Sequence, residues 1–434
     1  MIRFISIICT FVIVSLFFFP FQFKFLPGVN TKMVLAAMGL VVFILKLARD
    51  RKGAFNKDMF VLTIFAALVS LAGLTSVTIN STPDYAYTTY LVSMLVWVGA
   101  AYFAVCCIRR THGCASVLLV GNYLIAVCVF QCVMALWIDA SVSLKTLVDA
   151  YIEQGQDFLN SYKVQRLYGI GASLDVAGSR FAAVLALTAF FLIHIQDTVY
   201  RKYQWLYWIA FIIIAVAGNM VARTTTVGML VAFLYLLYKS KVYLLQLPRP
   251  FRYTLLWFFF LLVIAVPVLT YYYNHNADFQ KNLHFAFEGF FSLAEEGKWD
   301  VSSNEKLKTM YVFPDNWKTW FIGDGYFDNP VDTDPYFTGK VISGFYMGTD
   351  VGYLRFIFYF GLVGLAAFSA FIYKSFLICW KRFVSQREMF LLFLLINFII
   401  WFKVSTDIFL VFALFLMVSE QENKTYNERI LITE

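Results

Sequence analysis

Long apolar runs follow one another along almost the whole chain, separated by short polar or basic linkers. A helix needs about 20 mostly apolar residues to cross a bilayer. Runs of that kind lie near 4–21, 33–48, 59–78, 88–108, 115–138, 176–196, 204–222, 225–244, 253–272, 351–373, 388–402 and 405–419. The sequence therefore predicts an all-α polytopic membrane protein with about 12 transmembrane helices, the second and the last two on the short side. Composition agrees. Charged residues make up only 14% of the chain, against about 25% in soluble domains. The first run follows one early arginine and has no small-residue cleavage site, so it reads as a retained span.

The linkers set an expected orientation. LARDRKGAFNKD, CIRRTHG, YRKY, KSKVYLLQLPRPFRY and KSFLICWKRFVSQRE are basic and fall on one side. The positive-inside rule makes that side cytoplasmic, together with both termini. The expected organisation is then five spans in 1–138, an outer loop at 139–175, four spans in 176–272, a large outer loop at 273–350, and three spans with a cytoplasmic tail in 351–434.

Each outer loop contains a helix-like stretch. Leu144, Val148, Tyr151 and Ile152 form one helical stripe, and so do Phe279, Leu283, Phe287 and Phe290. Either stripe fits a small packed loop domain or an interfacial helix on the membrane surface.

Several function classes drop out. The cytoplasmic linkers are too short for a nucleotide-binding domain, and no GxxxxGK[ST] loop occurs, which argues against ATP-driven transport. All seven cysteines lie in or beside apolar runs, so neither a disulfide framework nor a zinc site is expected. His112, His194, His275 and His284 form no recognisable catalytic set and read as structural. The long loop from Tyr272 to Asp350 carries −6, leaving +14 on the rest of a +8 chain. An acidic loop does not suit nucleic acid. Asp, Asn and aromatic side chains there, among them Trp299, Trp317, Trp320, Tyr311, Tyr326 and Tyr336, suit sugar hydroxyls or form an ordinary small aromatic core. Asp332-Thr-Asp334 is a three-residue match to a metal-binding DxD motif, too short to predict a metal.

The arginines are the most informative residues. Eleven of fifteen lie in expected cytoplasmic segments. Arg166, Arg180, Arg223 and Arg355 instead sit at the expected outer ends of spans. An arginine inside a span costs about 2–3 kcal/mol at its centre and less near the interface. Four on the disfavoured side point to a use for their charge. The guanidinium fork matches phosphate oxygens, so a cluster there suits a diphosphate whose lipid tail stays in the bilayer. The competing reading has each arginine snorkelling to headgroups or pairing with a carboxylate.

In order along the chain stand RLYGIGASLDVAGSRFAAVLA, ARTTTVGMLVAF, FIGDGYF and TDVGYLRFIFYFGLVGLAAF. With the span number and the late outer loop, these segments resemble O-antigen polymerases of the Wzy type, within the wider polymerase and ligase group. The resemblance implies a GT-C-like, metal-independent glycosyltransferase in a bacterial inner membrane, working on the periplasmic face without a cofactor. Its donor and acceptor would be undecaprenyl-diphosphate-linked repeat units. A flippase and a separate chain-length regulator would be further partners, and membrane lipids its surroundings. By resemblance, Arg166, Arg180 and Arg223 match the positions that hold the diphosphate, with Arg355 as a further candidate. Asp350 stands where ligases carry a histidine, which favours polymerase over ligase. Asp350 would accept the proton of the attacking hydroxyl, or else cap the following helix or pair with Arg355. Gly323, Gly325 and Tyr353 are the expected glycan-side positions. The alternatives are an O-antigen ligase acting on lipid A–core and a lipid-linked oligosaccharide flippase. The flippase reading fits less well, because mid-span regions are almost free of charge and the outer loop is large.

Overall fold

The structure is a computed structural model that describes residues 2–49, 56–153, 166–194, 199–241, 249–328, 330–334, 337, 341–342 and 344–432. Parts of the first outer loop, of two basic linkers and of the long loop, including Tyr336, lie outside the described residues. So does the side chain of Asp332. The described chain is mostly helical. Its helices are α1 (Ile2–Phe18), α2 (Thr31–Arg49), α3 (Lys57–Asn80), α4 (Tyr90–His112), α5 (Val117–Ala140), α6 (Val142–Tyr151), α7 (Leu174–His194), α8 (Gln204–Val221), α9 (Thr225–Ser240) and α10 (Arg249–His275). There follow α11 (Ala277–Ala286), α12 (Glu288–Glu296), α13 (Ser302–Thr309), α14 (Trp317–Phe321), α15 (Pro330–Thr333), α16 (Gly352–Arg382), α17 (Arg387–Ile400), α18 (Phe409–Leu416) and α19 (Glu420–Ile432).

All twelve apolar stretches carry a helix. Eight of these helices are long and apolar enough to cross a membrane: α2, α3, α4, α5, α7, α8 with its lead-in from Arg201, α10 and α16. Helices α1 and α9 are apolar but shorter. The last two stretches differ from expectation. Helix α17 has 14 residues and α18 only eight. At about 1.5 Å per residue they reach roughly 21 and 12 Å, short of a bilayer core of about 30 Å. Between them runs non-helical chain held by side chains: Ile408 N–H donates to Asn397 Oδ1 at 3.1 Å, and Trp401 Nε1 donates to the Thr406 carbonyl at 2.9 Å. Asn397 and Trp401 are fully buried, so this backbone finds its partners inside the protein.

The described chain divides into two compact units. Unit 1 comprises Met1–Gly39, Ala100–Lys298 and Met417–Glu434. Helix α7 is its buried centre, packed between α8 and α9. Small residues make that packing possible. A methyl group at Gly228 of α9 would stand 2.1 Å from the Ala182 Cα of α7, and one at Gly178 would stand 2.8 Å from the Ala222 Cβ. Backbones approach closely wherever such small residues meet. Helix α6 lays Val148, with Leu144 behind it, on a cluster of Phe21, Ile138, Ile152 and Tyr168. Three residues of that stripe, Leu144, Val148 and Ile152, pack inward, while Tyr151 is exposed. The stripe at 279–290 is corrected. The helix breaks at Phe287 (φ −124°), and the buried positions are Asn282, Ala286 and Gly289, while Phe290 is exposed. Asn282 is drawn inward because its Nδ2 donates to Asp139 Oδ2 at 2.9 Å. Helix α19 is tied to the same unit by the Arg109–Glu422 fork, at 2.6 and 2.9 Å.

Unit 2 comprises Leu40–Gly99 and Trp299–Leu416. Its axis is α16 packed on α3. Helix α16 is not continuous: Phe360 and Gly361 leave helical geometry, with Gly361 at φ +67° and ψ −174°. The break frees the carbonyls of the preceding turn. The loop that follows α14 takes them up. Asp324 N–H donates to the Phe358 carbonyl at 2.6 Å and Gly325 N–H to the Tyr359 carbonyl at 3.1 Å. Ser76 Oγ, from α3, donates to the Tyr359 carbonyl as well, at 2.6 Å. In return, Asn80 and Thr82 donate to the Gly323 and Gly325 carbonyls at 3.0 and 2.9 Å.

This seam needs Gly323 at φ +83°, where an added methyl group would stand 2.5 Å from the Tyr359 carbonyl carbon and oxygen. Gly323→Ala is expected to lower stability by about 2 kcal/mol or more, from the strained φ plus the overlap. Gly297→Ala has the same kind of φ, +69°, but nothing within 4 Å. Its effect should be about 1 kcal/mol. Thermal unfolding of the detergent-solubilised chain tests both; equal shifts in Tm would show that the seam contributes nothing.

Candidate functional site

In unit 1 the glycine-rich segment before α7 places Arg166. Leu167 N–H donates to the Met220 carbonyl at the end of α8 (3.3 Å), and Gly169 N–H donates to the Ala172 carbonyl (2.8 Å). Ile170 N–H donates to Gln131 Oε1 at 2.8 Å, and Gln131 Nε2 reaches Ser15 Oγ at 3.2 Å. Gln131 is 1% exposed, in the middle of α5. Gly171 (φ +76°) lies so close to the Phe19 carbonyl that a methyl group would stand 2.3 Å from its oxygen. Arg223 sits in the short turn from α8 to α9, next to Thr224, whose hydroxyl bonds to Asp175 Oδ1 at the start of α7.

These supports bring Arg166 and Arg223 to one aromatic ring. Their guanidinium carbons lie 5.0 and 4.2 Å from the centre of Phe285, on α11. Arg223 Nε donates to the Phe285 carbonyl at 2.8 Å, and its Nη2 pairs with Glu288 Oε2 at 2.6 Å. Arg166 Nη1 lies 3.9 Å from Asp175 Oδ2. Its Nε is buried and makes no hydrogen bond among the described residues. Burial pulls the Arg223 pKa down, Glu288 opposes that shift, and the nearby Arg166 charge adds to it. Arg180 belongs to the same unit. It is 6% exposed in α7, with its guanidinium 5.7 Å from the Phe19 ring centre. Two of the three arginines expected to hold a diphosphate thus share one site.

Arg355, Asp350, Tyr353, Gly323 and Gly325 belong to unit 2. Arg355 is nearly buried and held through both of its terminal nitrogens, while its Nε makes no hydrogen bond among the described residues. It contacts Asp328 Oδ1 at 3.1 Å and Asp350 Oδ1 at 3.7 Å, donates to Ser405 Oγ at 2.9 Å and to the Phe327 carbonyl at 2.8 Å, and lies 3.8 Å from the Phe327 ring centre. Of the two structural alternatives for Asp350, the ion pair forms and the cap does not. Val351 is the N-cap of α16, with no side-chain cap bond. Tyr353 turns its hydroxyl to the Phe398 carbonyl at 3.0 Å and packs edge-on against Trp401 and Phe402. Gly323 and Gly325 do form a tight loop at positive φ, but the loop is sewn to the α16 break.

No family model, no curated protein and no solved structure matches this chain.

The acidic loop spends part of its charge internally. Tyr346 Oη donates to Asp324 Oδ2 at 2.9 Å, and Tyr326 Oη donates to Asp334 Oδ2 at 3.0 Å. Burial first, and then those carboxylates, raise both phenols, that of Tyr326 to about 12. Trp299 and Trp317 remain exposed.

Chemically the two clusters differ. In unit 2 one guanidinium faces two carboxylates, which match its charge, although its Nε, like those of Arg166 and Arg180, is buried with no hydrogen bond among the described residues. In unit 1 two guanidinium groups flank one ring, Arg166 near Asp175 and Arg223 paired with Glu288, and the Arg166 Nε has no hydrogen bond among the described residues. The second arrangement suits a multivalent anion. Sequence reading missed Phe285 and Glu288, because their partner Arg223 lies about sixty residues away, and it missed Asp175, although Arg166 precedes it by only nine. It also missed Gln131, although a lone amide within an apolar run is a visible signal. Gln131→Leu would leave the Ile170 N–H buried without its acceptor. That should lower stability by about 1–3 kcal/mol, read as a reduced Tm; an unchanged Tm would mean that Gln131 does not hold the Arg166 segment.

Proposed function

We propose that this chain is an O-antigen polymerase: a metal-independent glycosyltransferase of a bacterial inner membrane that joins undecaprenyl-diphosphate-linked repeat units on the periplasmic side. In this reading the chain crosses the membrane about twelve times, with the short last pair counted as spans and both termini cytoplasmic. The observation that carries the reading is the Arg166–Arg223 pair on Phe285. The acceptor sugar's hydroxyl attacks the anomeric carbon of the donor, and the bond from that carbon to the diphosphate oxygen breaks. Negative charge gathers on the leaving diphosphate. Preorganised donors aimed at developing charge are among the largest catalytic terms, about a hundredfold or more in rate for one donor. Arg223 brings polar contacts already ordered in place, and the Arg166 Nε has no hydrogen bond among the described residues. Arg355 already faces two carboxylates, and the pair at 166 and 223, which shares the Phe285 ring, is the proposed clamp.

The test uses lipopolysaccharide from a deletion strain complemented with variants. Loss of a polymerase leaves lipopolysaccharide with a single repeat. Loss of a ligase leaves polymer stranded on the lipid carrier. A normal ladder excludes both. At equal protein level, Arg166→Ala or Arg223→Ala should reduce chain extension by about a hundredfold or more, and Arg→Lys should restore it only in part, because the ammonium lacks the fork. Wild-type ladders from both alanine variants would remove the clamp. Asp350→Asn, in the same strain, should shorten the ladder with the protein still in the membrane; an unchanged ladder removes that carboxylate from the reaction.

A further inference from the structure

The Arg223 fork is not empty. Its Nη2 is 2.6 Å from Glu288 Oε2, and its Nε is bonded to the Phe285 carbonyl. Both partners come from one short segment, the end of α11 and the first residue of α12, on either side of the break at Phe287. The two partners are unlike. The Phe285 carbonyl is backbone, on a helix that Asn282 ties to Asp139 at 2.9 Å. Glu288 is a side chain at a helix start, and 31% of it is exposed to solvent, against 13% for the arginine. A glutamate in that position can swing out by bond rotations alone, with α11 staying in place.

The charges make such a swing consequential. A buried arginine needs an anion, because an uncompensated charge away from water is strongly unfavourable. Arg223 also feels the charge of Arg166 beside it. Glu288 meets that need with one carboxylate. A diphosphate would meet it with more charge and with oxygens in reach of both arginines, including the Arg166 Nε that has no partner among the described residues. The two anions cannot both occupy the Nη2 position of Arg223.

We infer that Glu288 is a resident stand-in anion, which a diphosphate displaces from Arg223 when it binds. The inference rests on the proposed clamp and adds a residue that sets its affinity. Glu288 keeps the fork in place when no ligand is bound, and every binding event works against it. A ligand bearing a single carboxylate gains nothing over Glu288, so the exchange selects for ligands with at least two negative charges. The bound affinity is that of the open fork reduced by the fraction of time Glu288 leaves it open.

The consequence is a gain, which structural damage does not produce. With the purified full chain in nanodiscs of zwitterionic lipid, inorganic pyrophosphate binding is measured by calorimetry. Glu288→Gln removes the charge and keeps the shape; it should tighten binding by about two- to fivefold, the size of effect expected from one partly exposed ion pair. Glu288→Ala should do the same, and it serves as the second variant if the amide disturbs folding. Adding Arg223→Ala to Glu288→Gln should abolish the gain. Equal or weaker binding by both Glu288 variants overturns the inference, while the clamp itself stands if Arg223→Ala weakens binding by the otherwise wild-type chain. If neither Arg166→Ala nor Arg223→Ala weakens pyrophosphate binding, the clamp falls and the stand-in with it.

Discussion

Two carbonyls at the break in α16 govern the form of unit 2. A helix in an apolar environment has no water for a freed carbonyl, and each one left alone costs several kcal/mol. The break at Phe360 and Gly361 frees the carbonyls of Phe358 and Tyr359, and the Asp324 and Gly325 N–H groups take them up. The loop after α14 is therefore as much a part of α16 as the missing helical turn would have been. Positive φ at Gly323, Gly325 and Gly361 follows from that geometry. So does the close approach of Phe321, whose carbonyl carbon and oxygen stand 2.2 and 2.1 Å from where a Gly361 side chain would begin. The glycines at 323 and 325, expected from the sequence to let the loop turn tightly, do so at a helix break that their backbone helps to close.

Unit 1 meets a different version of the same constraint. It gathers charged side chains at one end of its central helices, and each charge there has a partner of known kind. Arg166 has Asp175, Arg223 has Glu288, and Asp139 has Asn282. Phe285 lies between the two arginines and offers a ring face to both. A ring face attracts a cation without adding a formal charge. Two guanidinium groups can then stand near each other, and the Phe285 ring face lowers the cost of their proximity without using up the charge that a further anion would meet. Arg355 shows the alternative. With two carboxylates, a hydroxyl and a carbonyl around it, its charge is already matched.

The spans were legible in the sequence because hydrophobicity along one helix is a local property. Each of the twelve apolar runs became a helix, with ends within about four residues except at the end of α16, which closes at Arg382 and not at the expected 373. The count of full-length spans was less legible. Asn397 lies within the apolar run INFIIWF, and nothing local shows that it ends a helix by accepting the Ile408 N–H. The arginines could be picked out by their place alone, since four of them break the charge pattern of the rest. Their partners could not, because Phe285 and Glu288 lie about sixty residues from Arg223 and in a loop whose helical stripe was misread. That misreading has a physical cause. A 3.6-residue pattern assumes one unbroken helix, and the break at Phe287 rotates everything after it.

The same break is what sets Glu288 where it stands. Had α11 and α12 been one helix, residue 288 would follow Phe285 by three positions and share its face, pointing along the axis one turn on. With Phe287 out of helical geometry, the carboxylate of residue 288 instead reaches the fork whose Nε the Phe285 carbonyl already holds. A backbone acceptor and a side-chain anion thus converge on one guanidinium from two residues three apart, one fixed and one able to leave. That division matters for any anion binding here. The fixed contact preserves the orientation of Arg223, so the exchange at Nη2 takes place on a fork that is already aimed, and the ordering of a long flexible side chain, which would otherwise oppose binding, has been completed in advance.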